Sequence, residues 1–221
     1  TSLSGKTMFK TLNDPNFTKA IVNFRKRSPL EFGAMFDAIK LNMQLASLFY
    51  SSEVIEYVGD ILNEEIDGLT CTVPTLRIDT PFDKRSTLDW HQDSPYYPQG
   101  KAGKNGVVCW IPMQNVTAKH GTPKVLIGSH NEGQLVSNMH QDSKVSAIQH
   151  KIDSISGYKK RYKSKSVDAN MGDLCFFNMN LIHRSGRNTS DVVRFTAIAR
   201  YHRITSEDFR EVKVSYSIDN K

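Results

Sequence analysis

Residues 172–186, GDLCFFNMNLIHRSG, and residues 192–200, VVRFTAIAR, decide what kind of chain this is. The stretch 173–183 is rich in apolar and aromatic residues, is bounded by glycines, and reads as a buried strand that ends on His183. Residues 186–191 are turn-like and the chain returns as a second strand over 192–203. If the two strands pair as a hairpin, Arg194 lies across from His183 or one residue off, and cross-strand Cβ atoms sit about 5 Å apart. Arg194 is then an inward-facing arginine in an apolar strand, which is costly unless an anion meets it. Thr196 falls on the same face, and an arginine beside a hydroxyl suits a carboxylate ligand.

Outward from that pair, further strand-like stretches occupy 69–79, 106–113, 123–127 and 212–218. Upstream of them the pattern is helical. Residues 28–49 open on Ser28 as an N-cap, Pro29 at the first helical position and Glu31 to close a capping box. A second helix spans 52–62, with Val54, Ile55, Val58, Ile61 and Leu62 at helical spacing, and Gly68 ends the region. Helices first and strands later, with no βαβ alternation, predict an α+β fold whose strands form a sandwich or barrel. The expected layout is one domain: a helical part over 1–68 and a strand-built part over 69–221. The polar interval 131–165 is expected to be a lid with little regular structure.

The composition, 38% hydrophobic and 24% charged in 221 residues, is that of a globular domain. No apolar run reaches the roughly 20 residues of a membrane span. Cys71, Cys109 and Cys175 are odd in number and contain no CxxC, so they read as small buried side chains, and a reducing, cytoplasmic compartment is expected. The net charge of +6 favours anionic partners without naming one.

His91-Gln92-Asp93 places an imidazole and a carboxylate two residues apart, on one side of a strand. With a second histidine they would form the two-histidine, one-carboxylate face used by mononuclear non-haem iron(II) oxygenases. The motif alone is weak, and the chain holds a second copy at His140-Gln141-Asp142. Context separates them. The first sits in LDWHQDSPYYP (88–98), where Trp90, Tyr96 and Tyr97 can wall a pocket; the second sits in the polar interval. The expected ligand set is His91, Asp93 and His183.

The chain resembles the phytanoyl-CoA dioxygenase family. The similarity is carried by WHQD at 90–93, VVCWIPMQNVT at 107–117, HGTPKVLIGSH at 120–130, GDLCFFNMNLIHRSG at 172–186, and an arginine eleven residues after the second ligand histidine. The resemblance implies a double-stranded β-helix (a jelly-roll, cupin-like barrel) with the N-terminal helices packed on it. It implies Fe(II) held by His91, Asp93 and His183, with 2-oxoglutarate and O2 as cosubstrates. Arg194 and Thr196 would take the distal carboxylate of 2-oxoglutarate, Trp110 would enclose it, and Ser185 and Arg77 would be within reach of it. The implied reaction is hydroxylation of an unactivated C–H bond with release of succinate and CO2; Asp93 favours this over halogenation, which needs a small residue there.

Two rivals stand beside this reading. A cupin-type isomerase, lyase or binding protein could share the barrel and metal, but has no use for an Arg194 anchor. A nucleic-acid-modifying oxygenase is suggested by Lys159, Lys160, Arg161, Lys163 and Lys165 interleaved with Tyr158 and Tyr162. A small-molecule substrate is the stronger expectation, and the basic run favours an anionic one.

Overall fold

The computed structural model describes residues 11–83, 87–97, 106–140 and 149–206. The described residues form five α-helices: α1 (Pro15–Arg27), α2 (Pro29–Lys40), α3 (Met43–Phe49), α4 (Ser52–Leu62) and α5 (Ile155–Arg161). They also form ten strands: β1 (Leu69–Cys71), β2 (Thr75–Asp79), β3 (Gly106–Pro112), β4 (Lys124–Leu126), β5 (Ser137–His140), β6 (Gln149–Ile152), β7 (Ser164–Ser166), β8 (Cys175–Asn178), β9 (His183–Arg184) and β10 (Arg194–Arg203). The expected strand 212–218 lies outside the described residues.

Among the described residues all sheet pairing is antiparallel. The large sheet runs β1-β10-β3-β8, with β2 also on β10; a three-stranded sheet runs β7-β4-β9, and β5 pairs with β6 alone. The mixed helix and antiparallel-sheet class is therefore as expected. β10 organises it. Its odd residues Ala197, Ala199 and Tyr201 pack with Val107, Cys109 and Ile111 of β3 against Leu45, Phe49, Val54, Val58 and Leu62 of the helices. Tyr201 also donates its hydroxyl to the Phe49 carbonyl (2.6 Å). On the other face, Ile198 joins Val108, Trp110 and Met179 in a second cluster. This two-faced burial is the period-two consequence of strand geometry.

Several sequence expectations change. The single helix over 28–49 is two, because Asn42 caps a new helix with its side chain accepting from Gln44 and Leu45 N–H. Ser28 stands at the N-cap of α2 and Pro29 at its first turn, but Ser28 makes no side-chain capping bond, so the capping box with Glu31 is not formed. α1 was not singled out from sequence. α4 has the expected bounds, and Asn63 in the left-handed region (φ 49°) ends it, ahead of Gly68. The stretch 69–79 breaks into β1 and β2, and 173–183 into β8 and β9. The interval 131–165 is not irregular: its described residues form the β5–β6 hairpin, α5 and the start of β7.

The largest correction concerns 173–203. β9 pairs with β4, whereas β10 pairs with β1, β2 and β3. His183 and Arg194 are thus on different sheets, not across a hairpin. The connection between them crosses from one sheet to the other, fixed by Asn188, whose side-chain amide donates to the carbonyls of Asp79 (2.9 Å) and Val192 (2.8 Å).

Candidate metal centre

The two histidines meet through their backbones. His91 N–H donates to His183 O (2.8 Å) and His183 N–H to His91 O (2.9 Å), an antiparallel bridge that sets their rings 4.2 Å apart. The strand alternation stops at the next ligand: Asp93 has φ −78° and ψ −29°, and leads into a helical turn over Ser94–Tyr96. Its N–H donates to Met179 O (2.9 Å), so the ligand loop is tied to the chain segment that carries His183.

Between the ligands, Gln92 is 1% exposed and fully satisfied. Its amide nitrogen donates to Gly133 O (2.7 Å) and Asn180 O (2.6 Å), and its oxygen accepts from Leu135 N–H (2.8 Å). Further bonds reach the same excursion: Asp89 N–H to the Gln149 side chain (3.1 Å) and His150 N–H to the Tyr96 hydroxyl (2.7 Å). The expected lid is thus fastened to the ligand loop at both β5–β6 ends.

His91 Nδ1 lies 2.6 Å from Asp89 O, and His183 Nδ1 2.9 Å from Leu181 O. A carbonyl can only accept, so each Nδ1 carries the proton and each Nε2 offers a lone pair. Both Nε2 atoms are 3.6 Å from Asp93 Oδ1. All three ligand atoms fall within 4.8 Å of one another, and the three residues are buried. Burial, then the neighbouring His91, push the His183 pKa down to about 4, which keeps it neutral for coordination. Burial raises the Asp93 carboxyl, but Arg200 and the two imidazoles outweigh it and hold the group well below the usual carboxylate range.

A pocket of about 230 Å³ opens from this cluster and is lined by Tyr96, Tyr97, Trp110, Phe177, Arg194 and Arg200 among others. It lies between the two sheets, walled by β3, β8 and β10 on one side and β9 on the other. Arg77, Leu88 and Ser185 also line it. The Ser185 hydroxyl is engaged by Leu88 N–H (3.1 Å). Arg77 binds Asp79 through Nη2 (2.9 Å). Thr196 shares the pocket face of β10 with Arg194 and is fully buried.

Arg194 does have a protein partner. Its Nη2 donates to Asp79 Oδ2 (2.6 Å) and its Nη1 to Gly121 O. The approach of that carbonyl requires glycines. A Cβ on Gly121 (φ 78°) would meet Asn188 N at 2.5 Å, and one on Gly186 would meet Thr122 O at 2.4 Å. Even so, Arg194 Nε and Thr196 Oγ1 are both buried without a hydrogen-bond partner among the described residues. Two adjacent orphaned groups of this kind call for a ligand oxygen.

Of the second motif copy, His140 is exposed at the end of β5 and Asp142 lies outside the described residues. The basic run does not line the pocket: Lys159, Lys160 and Arg161 are on the exposed last turn of α5, and Arg161 pairs with Glu132. Sequence reasoning missed Arg200, which bonds Asp93 and is reached by continuing the alternation Arg194, Thr196, Ile198 one step further.

This combination defines a buried cluster of two histidines and one carboxylate that could hold a single metal ion, set between antiparallel sheets with helices on the outer face. The family model for phytanoyl-CoA dioxygenase matches residues 17–196, and the chain belongs to that family of iron(II)- and 2-oxoglutarate-dependent oxygenases. It is similar to the peroxisomal phytanoyl-CoA dioxygenase of Bos taurus, 29% identical over 168 residues, covering 65% of this chain and 48% of that one. The chain therefore spans about half the length of this curated relative. Its fold is like that of the non-heme monooxygenase ThoJ (TM-score 0.57, 20% identity, 87% of this chain and 70% of the other). It is also like the epimerase SnoN in complex with Fe3+, alpha ketoglutarate and nogalamycin RO (TM-score 0.58, 16% identity, 76% and 61%). Among the described residues, no helix is long and apolar enough to cross a membrane.

Proposed function

We propose that this chain is an Fe(II)- and 2-oxoglutarate-dependent dioxygenase that hydroxylates an unactivated C–H bond of a small, anionic metabolite. The observation that carries the reading is the alignment of two needs beside one pocket: the three convergent ligand atoms of His91, Asp93 and His183, and the orphaned Nε of Arg194, which lines the pocket, with the orphaned hydroxyl of Thr196 on the same face of β10.

In this reading His91, Asp93 and His183 hold the iron. Iron(II) held there would let O2 oxidise both 2-oxoglutarate, to succinate and CO2, and a substrate C–H bond, which would gain one oxygen atom. Arg194 Nε and Thr196 Oγ1 hold the distal carboxylate, with Arg77 adding positive charge across the strand pair. Trp110, 2% exposed, closes one wall of the pocket and excludes water. Ser185 accepts the Leu88 N–H at its hydroxyl oxygen, which leaves the hydroxyl proton to donate to the cosubstrate.

The case for an anionic substrate rests on the chain's net charge of +6, since the pocket arginines Arg77, Arg194 and Arg200 are engaged by Asp79, Asp93 and the cosubstrate. The surrounding architecture supports a jelly-roll reading, with the two sheets as facing walls of one barrel and residues 1–68 and 69–221 as parts of one domain. The cysteine pattern supports a reducing, cytoplasmic setting.

The test is a succinate-formation screen of the iron-loaded chain against a metabolite library rich in carboxylates and phosphates. Succinate release coupled to a substrate gaining one oxygen is expected. A metal-dependent product without succinate would instead favour a cupin-type isomerase or lyase.

A further inference from the structure

We infer that Arg200 is a positioning residue that restricts Asp93 to one metal-facing oxygen. The inference rests on the reading of His91, Asp93 and His183 as metal ligands.

The two oxygens of Asp93 have different neighbours. Oδ1 is 3.6 Å from His91 Nε2 and 3.6 Å from His183 Nε2, and so points to the space where the three ligands converge. Oδ2 accepts from Arg200 Nε at 2.9 Å. Asp93 is 3% exposed, so no bulk water competes for that bond.

Arg200 is itself fixed. It lies in β10 between neighbouring strands, with Val108 of β3 as its Cα partner. Its N–H donates to Thr72 Oγ1 (3.1 Å), and its carbonyl accepts from Thr72 N–H (2.8 Å). Its guanidinium carbon lies 5.0 Å from the centre of the Tyr97 ring. A planar cation held by strand and ring at once has little freedom to follow a carboxylate that rotates.

A carboxylate can meet a divalent cation through one oxygen or through both. Chelation through both would break the charge-assisted bond to Arg200 and leave a partly buried guanidinium short of its acceptor. Arg200 therefore keeps Asp93 to one coordination position. A metal ion held there by two imidazoles and a single carboxylate oxygen would keep more of its positions for ligands entering from the pocket.

Cobalt(II) tests this without turnover. Purified metal-free chain, Arg200→Met and Arg200→Lys would each be titrated with cobalt(II), and the ligand-field absorption compared at full occupancy. In Arg200→Met the carboxylate is released, so the band should shift in position or intensity with cobalt(II) bound no more weakly. Arg200→Lys, which restores a cation, should move it back toward wild type. 2-Oxoglutarate affinity of the cobalt-loaded protein should fall tenfold or more in Arg200→Met and largely recover in Arg200→Lys. Superimposable spectra in all three proteins would overturn the inference, as would a parallel loss of cobalt and 2-oxoglutarate affinity, which signals a damaged fold. If Arg200→Met does not fold, Arg200→Gln is read by the same criteria. Should wild type bind cobalt with the expected Arg200 dependence yet ignore 2-oxoglutarate, the proposed function fails while the role of Arg200 stands.

Discussion

The carboxylate of Asp79 lies 2.6 Å from the guanidinium of Arg194, although the two residues are 115 positions apart in the chain. Asp79 also holds Arg77, and both arginines keep its carboxyl, despite burial, well below the usual range. Removing one member of a buried ion pair costs about 3–5 kcal/mol, because the other charge is left without a partner. Asp79→Asn should therefore lower the melting temperature sharply. Added 2-oxoglutarate should raise the melting temperature more in this variant than in wild type, since a carboxylate then replaces the missing one. An unchanged melting temperature would show that the arginines find other partners.

Metal content should follow the first His-x-Asp copy alone. His91→Ala, Asp93→Ala and His183→Ala should each lose iron(II) when purified anaerobically, whereas His140→Ala should keep one ion per chain. Iron analysis checks this directly, and iron lost in His140→Ala but kept in His91→Ala would reverse the choice between the copies.

Arg194→Lys retains a charge but loses Nε and the planar fork. Loss of one charge-assisted bond costs about 1.5–3 kcal/mol, or roughly 10- to 150-fold in apparent KM for 2-oxoglutarate. Arg194→Ala should be worse. Equal KM in wild type and both variants would remove Arg194 from the cosubstrate site.

Gln92 satisfies three backbone groups from one amide. Gln92→Leu should leave Gly133 O, Asn180 O and Leu135 N–H without it, at about 1–3 kcal/mol each. A stability loss of about 3 kcal/mol or more is expected in urea unfolding, together with faster proteolysis within 131–165. A loss below about 1 kcal/mol would mean that water takes over these bonds.

His202 gives the metal-free protein a pH dependence. It is 1% exposed, neither ring nitrogen has a hydrogen-bond partner among the described residues, and burial followed by the Arg200 charge pushes its pKa down to about 4. The unfolded imidazole takes up its proton near 6.5 (about the free value). Between about pH 6.5 and 4 the unfolded chain binds a proton that the folded chain refuses, so stability falls as the pH falls through that window. His183 adds to the same slope. His202→Leu should flatten the pH dependence of the urea midpoint across this range; an undiminished slope would assign the effect elsewhere.

The parts legible in sequence were those with local signatures. α4 announces itself through Val54, Val58 and Leu62 at four-residue spacing, and β3 through an apolar run that is buried along its whole length. His91, Asp93 and His183 were identifiable because donor types in an apolar setting are chemically expensive. Arg194 was found by the same logic but through a wrong neighbour, since turn-like residues at 186–191 look alike whether a chain doubles back or crosses to another sheet. Gln92 and Asp79 were not legible as anchors, because their partners at 133, 135, 180 and 194 are set only by tertiary pairing. Ser28 shows the opposite error: a good local motif whose bond the surrounding packing did not use.

Because one face of β10 carries Arg194, Thr196, Ile198, Arg200 and His202 while the other carries Phe195, Ala197, Ala199 and Tyr201, this segment tolerates exchange of residues far better than change of length. Adding or deleting one residue within it would turn the arginines toward the helices and the alanines toward the pocket. Descent within such a lineage would therefore leave this segment free of gaps, and diversity there would arise by substitution at alternate positions.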